Sequence, residues 1–354
     1  MPEGGGVRLR ALFLGSDECY FWAHRLPIAR AVRQGAEVLI MTDKPVLTIC
    51  IVNYNAEGYV RTCLKSLYAN QIDTTFEVVL VDNCSEDGSA EMVRTSYPRV
   101  RLICSESNIG FARANNAALR VARGQYLLWL NNDTVVLPGA LDALVRFLEE
   151  HPEVGIVGPK VLNSDGSLQL QCRRGLPTLW AALCYVSGLS RVFAKNPFFT
   201  GYLLTHLDED EAASVDAVSG ACLMARREVL NQIGYPDEGY FMFAEDLDWC
   251  WRAKQAGWQV FYFPDARIIH YGGRGGTLSR PFRATLEFYQ SLWRFYRKHL
   301  AWRYPFFVNW LVRVGIEMKL AVALGLNLFR NVPVAGSRKP TGEGGFPGIP
   351  PSRP

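Results

Sequence analysis

The stretch VLTICIVNYNAEGYVRTCLKSLYAN (46–70) joins two patterns that together decide the fold. Residues 46–52 form a largely apolar run of strand length. From Tyr59 onward, apolar residues recur at intervals of three and four, which is the spacing of a helix with one buried face. The polar residues 53–55 separate the two patterns. The stretch therefore predicts a strand, a loop and a helix, which is the repeating unit of α/β folds.

The same alternation continues along the chain and predicts the rest of the sheet. Further strands are expected at 76–82, 100–105 and 126–133, each followed by a segment with helical spacing. Their almost continuous apolar runs favour a mostly parallel central sheet that helices cover on both faces. The pattern loosens over 163–215, where we expect an insertion that faces a substrate. A later strand is expected to be broken at Pro264.

Composition excludes several classes of protein. The chain has 354 residues, of which 49% are hydrophobic and 12% aromatic, and this is enough for a large core. A net charge of +4 argues against nucleic acid as the main partner. The nine cysteines include no C-x-x-C pair, so reduced intracellular thiols are expected rather than zinc ligands or disulfides. Neither a signal peptide nor a clear transmembrane helix is expected.

Polar residues gather where the predicted strands end. In α/β sheets, ligands bind beyond the carboxyl ends of the strands, so these residues are candidates for a binding site. The candidates are Asn53, Asn55, Asp82, Asn108, Gly110, Asn132 and Asp133. Ordinary turns and helix caps use the same residue types and remain an alternative for each loop taken singly.

Two of these strand ends also suggest specific ligands. Asp82 is placed to accept hydrogen bonds from a base or a sugar. Asp133 is placed to hold a divalent cation, since Mg²⁺ and Mn²⁺ prefer oxygen ligands. His270, followed by YGGRGG, is either a further metal ligand or a structural histidine. The loop after His270 lacks the G-x-x-x-x-G-K-[ST] pattern of a phosphate-binding P-loop.

A second candidate site lies in YFMFAEDLDWCWRAKQAGW (240–258), where three carboxylates stand among aromatic residues. Buried carboxylates need a partner or a task. One interpretation is structural: Asp246 caps a helix, and Asp248 pairs with Arg252 one turn later. The other is catalytic, with an aromatic pocket that raises the pKa of Asp246. The pairing with Arg252 assigns a structural role to Asp248, and for Asp246 both interpretations stay open at this point.

Five motifs, TICIVNYN, VDNCSEDGS, SNIGFARANN, LLWLNNDT and AEDLDWCWR, resemble in their order those of family 2 glycosyltransferases with the GT-A fold. The resemblance covers about residues 46–276 and is greatest to bacterial rhamnosyltransferase-like enzymes. It implies a Rossmann-like nucleotide-diphospho-sugar transferase that is inverting and metal-dependent. A sugar, with L-rhamnose as one candidate, would move from a dTDP- or UDP-linked donor to a lipid-linked or polysaccharide acceptor in cell-surface glycan synthesis, with Mg²⁺ or Mn²⁺ as cofactor.

The resemblance also implies roles for individual residues. Asp246 would be the general base, with Glu245 beside it, and Asp82 would contact the nucleotide base. Asp133 would bind metal and diphosphate, assisted by His270, because Asn131 stands where a first carboxylate is expected. Ser219, Gly220 and Trp249 are assigned to the acceptor and sugar pocket, with 240–243 as further walls. The change Asp246→Asn is expected to abolish transfer and to leave folding and nucleotide binding intact.

The resemblance divides the chain into four parts. Residues 1–44 are similar to the start of a GT-B glycosyltransferase and receive no catalytic role. Residues 45–276 form the catalytic domain. Residues 277–330 are basic, aromatic and helical in spacing, which suits amphipathic helices on an anionic membrane surface. Residues 331–354 are expected to be disordered. These features predict a cytoplasmic protein attached to the inner face of the cell membrane.

The sequence argues against two other functions. A catalytically silent module that binds nucleotide sugars or carbohydrate is the alternative, and the presence of Asp82, Asp133 and Asp246 argues against it. A nucleotide-dependent dehydrogenase is disfavoured because no G-x-G-x-x-G follows the first strand.

Overall fold

The computed structural model describes residues 44–273 and 281–329. The chain divides into two compact units, Met1–Asp43 and Lys44–Pro354, and every described residue belongs to the second. The GT-B-like segment expected at the N-terminus, apart from Lys44, and the expected disordered tail lie outside the described residues.

The sheet is the frame on which the site is built. Its strands are β1 (Leu47–Asn53), β2 (Phe76–Asp82), β3 (Arg101–Cys104), β4 (Tyr126–Asn131), β5 (Thr134–Val136), β6 (Val154–Leu162), β8 (Ala213–Ser214), β10 (Cys222–Arg226) and β11 (Gln259–His270), and β7 (Arg173–Arg174) pairs with β9 (Ala217–Val218) in a separate ribbon. The order is β3-β2-β1-β4-β10-β6-β11-β5, with β8 also paired to β11. The predicted α/β fold with a central sheet is confirmed.

Most strands of the sheet run in one direction. β3, β2, β1 and β4 are parallel to one another, and β10 lies antiparallel between β4 and β6. β11 is parallel to β6, whereas β5 and β8 are antiparallel to β11. The carboxyl ends of β1, β2 and β4 therefore meet at one edge of the sheet.

The helices cover the sheet as the sequence spacing predicts. They are α1 (Glu57–Ala69), α2 (Ser89–Ser96), α3 (Phe111–Val121), α4 (Ala140–Glu150), α5 (Leu179–Ser187), α6 (Leu189–Val192), α7 (Arg227–Ile233), α8 (Glu245–Gln255), α9 (Pro281–His299) and α10 (Phe306–Phe329). In α1 the buried residues are Val60, Cys63, Leu64 and Leu67, the stripe expected from the spacing. All seven residues of β1 are buried, as expected for a strand covered on both faces.

Pro264 does not end the last strand. β11 continues through it to His270, but its pairing with β6 shifts in register between Phe263 and Arg267. A proline has no N–H to donate to a neighbouring strand, so an irregularity at this point accommodates it. The continued strand carries His270 to the edge where β4 ends.

The C-terminal helices differ in how they are buried. On α9, Phe295 is fully buried and Tyr296 nearly so, in the same core as the sheet. α10 runs back along α9, since Asn309 contacts Tyr296 and Asn327 contacts Thr285. α9 is therefore part of the α/β core, whereas α10 covers its outer face.

Candidate active site

Hydrogen bonds join the ends of β2, β1 and β4. The Asn53 Nδ2 donates to Asp82 Oδ2 at 3.1 Å, and Asn132 Nδ2 donates to Asn53 Oδ1 at 2.7 Å. The backbone N–H of Ser85 donates to Asp82 Oδ1 at 2.8 Å. Asn53, Asp82 and Asn132 are all buried. These side chains fix the loops that follow the strands, so the edge is held in place before a ligand arrives.

The predicted residues Asn108 and Gly110 shape the loop that precedes α3. The Asn108 Oδ1 accepts from Asn83 Nδ2 at 3.1 Å and from the Gly110 N–H at 3.1 Å. Gly110 has a φ of +87°, and a Cβ added there would lie 2.7 Å from the Phe241 carbonyl oxygen. Asn55 is exposed, and its Oδ1 accepts from the Glu86 N–H at 2.7 Å. Gly110 therefore allows the segment before α8 to approach the strand ends.

A cleft with a volume of about 130 Å³ opens above this edge. Asn108, Gly110, Asn132 and Asp133 line it, as do Tyr54, Asn83 and Asn131. It is also lined by Phe241 and Met242, which belong to the predicted walls 240–243, and by Arg283, Ala284 and Glu287 on α9, which the sequence did not single out. The guanidinium of Arg283 lies 4.3 Å from the centre of the Phe241 ring and 3.8 Å from Glu287 Oε1. The cleft thus contains both cationic and anionic groups.

Asp133 and His270 lie side by side. The Asp133 Oδ1 is 3.1 Å from His270 Nε2, and Asn131 Nδ2 is 3.2 Å from the same nitrogen. The His270 Nδ1 lies 2.7 Å from Gln169 Oε1. Because Gln169 Nε2 donates to Asn163 Oδ1, its Oε1 faces His270 as an acceptor. The His270 Nε2 faces the Asp133 carboxylate.

Asp246 is held by three donors at the start of α8. Its Oδ2 accepts from Arg174 Nη2 at 2.7 Å and from the Gly220 N–H at 2.8 Å, and its Oδ1 accepts from the Leu247 N–H at 2.7 Å. Burial opposes the charge of Arg174, but the charge of Asp246 outweighs it and raises the pKa of Arg174. Removing Asp246 would leave this guanidinium buried and unpaired. The expectation that Asp246→Asn leaves folding intact is therefore revised.

Glu245 carries the raised pKa that the sequence suggested for its neighbour. Burial, and then the negative charge of Asp246, raise the pKa of Glu245 to about 8. Its Oε2 is buried and has no hydrogen-bond partner. The two residues that directly precede α8, Phe243 and Ala244, have positive φ values of 71° and 63°. Such strained backbone in residues other than glycine is typical of functional sites.

The two halves of the site are connected through the end of β4. The Asn131 N–H donates to the Ala221 carbonyl oxygen at 3.0 Å, and the preceding Gly220 contacts Asp246. The Ser219 Oγ accepts from the Ala221 N–H at 3.2 Å. The segment 219–221 thus runs between the Asp133 pair and the Asp246 cluster.

Two expectations for the walls of the site are corrected. Trp249 is fully buried, stacks on Trp129 with ring centres 5.0 Å apart, and donates from Nε1 to the Gly234 carbonyl oxygen. Tyr240 is likewise 1% exposed. Both rings belong to the core because they lie on the buried side of α8 and of the segment before it. Phe241 and Met242 do line the cleft.

Asp248 has a structural environment, in agreement with its assignment. It is fully buried, its Oδ2 accepts from Arg252 Nε at 2.9 Å, and its Oδ1 lies 2.7 Å from both His299 Nε2 and Lys298 Nζ. Burial works against its ionisation, but the bonds from His299 and Lys298 prevail and lower the pKa of Asp248 to about 2. This carboxylate fastens α8 to α9.

Comparisons with known proteins agree with this geometry. The sequence model described as glycosyl transferase family 2 matches residues 48–234. An N-acetylglucosaminyl-diphospho-decaprenol L-rhamnosyltransferase of Mycobacterium tuberculosis is 29% identical over 304 residues, which cover 82% of this chain and 96% of the relative. A low-salt glycan biosynthesis hexosyltransferase of Haloferax volcanii is 28% identical, and the match covers 59% of this chain and 62% of that protein.

A solved structure gives the same fold. The mannosyltransferase of Pyrobaculum calidifontis, determined with GDP-Man and Mn²⁺, superposes with a TM-score of 0.52 at 21% identity, over 80% of this chain and 73% of that chain. The resemblance seen in the five motifs is thereby confirmed. The chain belongs to glycosyl transferase family 2.

Proposed function

We propose that this glycosyltransferase is an inverting enzyme that moves a sugar, with L-rhamnose as the first candidate, from a dTDP- or UDP-linked donor to a hydroxyl group of a lipid-linked acceptor. One observation carries the proposal. A buried carboxylate held by fixed donors, Asp246, is connected through 219–221 to a second carboxylate, Asp133, which lines the cleft beside the Nε2 atom of His270.

The residues around Asp133 are suited to a divalent cation. Among the described residues, no group of three or more Asp, Glu, His or Cys side chains is placed to hold a metal ion. Asp133 and His270, whose Oδ1 and Nε2 lie 3.1 Å apart, would be the protein ligands of the cation, and their oxygen and nitrogen atoms are donor types that Mg²⁺ and Mn²⁺ accept. When bound, the cation neutralises charge on the donor diphosphate.

Asp246 is assigned the proton transfer. The acceptor hydroxyl would give its proton to the carboxylate of Asp246 while its oxygen bonds to the anomeric carbon, and the bond to the nucleoside diphosphate breaks with its electron pair. Attack from the face opposite the leaving group inverts the anomeric carbon. Arg174 and the Gly220 N–H fix the orientation of the carboxylate, and Glu245, with its pKa of about 8, adds no second negative charge at neutral pH.

Donor binding is assigned to the strand ends. We place the nucleotide base and ribose beside Asn53, Asn55 and Asp82, and the diphosphate near Asn132 and Asp133. Asn108 and Gly110 would form the floor of this pocket, and Ser219 and Gly220 the acceptor side. Support comes from the cleft, which four of these residues line.

The acceptor is proposed to be lipid-linked, because the M. tuberculosis relative carries N-acetylglucosaminyl-diphospho-decaprenol in its name. Within the described part of the chain, none of the helices combines the length and apolarity needed to cross a bilayer. α10 instead exposes large apolar side chains, with Phe306 84% and Trp310 63% exposed. We therefore propose peripheral attachment to the inner face of the membrane through α10.

The proposal is tested with nucleotide sugars, dTDP-rhamnose first, and a lipid-linked N-acetylglucosaminyl diphosphate. The Arg174→Met/Asp246→Asn double variant avoids an unpaired guanidinium, so it should fold and bind donor while transfer falls about 10²–10⁴-fold. Chelation of divalent cations should weaken donor binding measured by calorimetry. Transfer by the double variant at the wild-type rate would refute Asp246 as the base, and a product with retained configuration would refute inversion.

A further inference from the structure

A second apolar surface lies in the insertion, outside the site described above. We call residues 179–198, which comprise α5, α6 and the turn that follows, the 179–198 hairpin. Its exposed large apolar residues are Trp180, Leu183, Val186, Val192, Phe193 and Phe198. Val192 is 75% exposed and Phe198 62%. Exposed apolar residues this close together mark a surface for docking.

The hairpin is an ordered element. The Thr178 Oγ1 caps α5 by accepting from the Ala181 N–H at 3.2 Å, and Cys184 on the inner side of the helix is fully buried. The Trp180 Nε1 donates to the Phe198 carbonyl oxygen at 2.8 Å and joins the two ends of the hairpin. One face is therefore packed on the protein, and the apolar side chains are presented outward from it.

Charge decides what can cover this surface. From Gly166 to Leu207 the sequence contains no Asp or Glu. Arg191 and Lys195, by contrast, are exposed on the hairpin itself. Large apolar side chains accompanied only by cations match an anionic bilayer, whose headgroups attract the cations while its acyl region accepts the apolar groups.

The position of the hairpin connects it with both the acceptor side and α10. Arg174, which holds Asp246, precedes α5 by five residues. Burial, and then the proximity of Tyr185 on α5, raise the pKa of Tyr289 on α9, so the hairpin lies beside α9. α9 is also the helix on which α10 packs, with the Arg313 guanidinium 5.0 Å from the centre of the Trp293 ring. The hairpin and α10 therefore have the same neighbour.

We propose that the 179–198 hairpin inserts into the interface of an anionic bilayer as a membrane contact separate from α10. Together the two elements would hold the acceptor side of the enzyme against the lipid surface. The proposal rests on the proposed function only for the lipid-linked nature of the acceptor. Binding of the hairpin to lipid does not require catalysis.

The test is co-sedimentation of the full chain with vesicles of phosphatidylglycerol and phosphatidylcholine. The Leu183→Glu/Val192→Glu variant should lower the partition coefficient at least about tenfold, because two apolar groups are lost and two negative charges face the headgroups. The matched control is Ala69→Glu/Gln71→Glu, which adds the same charge to exposed positions near the end of α1. It should partition within about twofold of the wild type.

Three outcomes are informative. Unchanged vesicle binding by the hairpin variant would overturn the proposal. A second outcome would also overturn it: the wild type binds no vesicles and is a dimer in sedimentation velocity, and the hairpin variant is a monomer. The surface would then join two copies of the chain. Donor binding by calorimetry is measured in parallel. If the wild type binds no nucleotide sugar but the hairpin variant alone loses vesicle binding, the proposed function fails and the hairpin proposal stands.

Discussion

At the scale of single residues, the buried carboxyl group of Glu245 makes stability depend on pH. Its pKa is raised from 4.5 to about 8 in the folded chain, so the folded state retains a proton that the unfolded chain loses. Its contribution is therefore fully favourable below about pH 4.5 and declines as the pH rises towards 8. Glu245→Gln is neutral throughout this range. We expect the variant to gain ~3.5 kcal/mol relative to the wild type between pH 5 and pH 8.

Thermal melts of both proteins at pH 5 and pH 8 measure this difference. The comparison concerns stability alone, so any loss of activity in the variant does not affect it. A difference in Tm that is the same at both pH values would show that Glu245 does not titrate in this range.

Arg283 is the second residue whose replacement has a predictable effect, in this case on the binding of the donor diphosphate. It lines the cleft with Asp133, although it comes from α9, and its ion-pair partner Glu287 is 3.8 Å away. A donor diphosphate is an anion, so a guanidinium in the same cleft is expected to bind it. We predict that Arg283→Ala weakens binding of a nucleoside diphosphate about tenfold or more and leaves binding of the nucleoside alone unchanged.

Calorimetry with the nucleoside diphosphate and with the nucleoside alone shows whether Arg283 acts through its charge or by supporting its neighbours. Arg297→Ala, an exposed position on the same helix, serves as the control and should behave like the wild type. If Arg283→Ala weakens the nucleoside and the diphosphate equally, Arg283 acts by supporting Phe241 and not by binding phosphate.

The residues that sequence could identify are those whose role is visible locally. Asn53 and Asp82 end strands and Asp133 lies just beyond the end of one, so their meeting at one edge follows from a parallel sheet. Arg174 is different: its contact with Asp246 spans 72 residues, and it lies in the insertion, where no motif distinguishes it. Trp249 lies in the core and not in a wall of the site, because its helix has a buried face that the spacing of Leu247 and Cys250 indicates.

At the scale of elements, Asp248 joins α8 to α9. It accepts from Arg252 on its own helix and from Lys298 and His299 on α9. Because this carboxylate is fully buried, Asp248→Asn removes the carboxylate partner of Arg252, whereas Lys298 keeps a second one in Asp237. We expect it to lower the free energy of unfolding by ~3 kcal/mol at pH 7. With a pKa lowered from 3.8 to about 2, the contribution of the wild-type residue is lost as the pH falls through this interval.

Urea denaturation at pH 7 tests the value, and Glu317→Gln is the control. Glu317 pairs with Arg313 on α10, but both side chains are nearly half exposed. Exposed pairs contribute little, so the control should change stability by less than ~0.5 kcal/mol. A similar small change in Asp248→Asn would mean that α9 is held by apolar packing alone.

Element types were predictable, but their burial was not. The apolar and aromatic spacing of 277–330 indicates helices, and α9 and α10 confirm them. Nothing in that spacing shows that α9 places Phe295 in the core of the sheet and Arg283 at the cleft, whereas α10 remains outside. Which face of a helix is covered depends on partners far away in the sequence, in this case α8 and the segment before it.

At the scale of the whole molecule, the catalytic fold begins near Val46. The Val46 N–H bonds to Thr75, and β1 follows at the centre of the parallel strands, between β2 and β4. The family match starts at residue 48. Removal of 1–43 therefore leaves every strand and helix described above intact. We predict that a chain lacking 1–43 retains donor binding and transfer within about twofold, since every described residue of the site lies outside that segment.

The measurement is transfer activity together with Tm for the shortened chain. As a control, removal of 1–53 also takes away β1, and with it the hydrogen bonds to both neighbouring strands and seven buried residues. That chain should not fold, because the sheet loses a central strand rather than an edge. If the chain lacking 1–43 melts like the wild type but loses transfer, residues 1–43 take part in catalysis, and the assignment of the whole site to 45–276 and α9 is wrong.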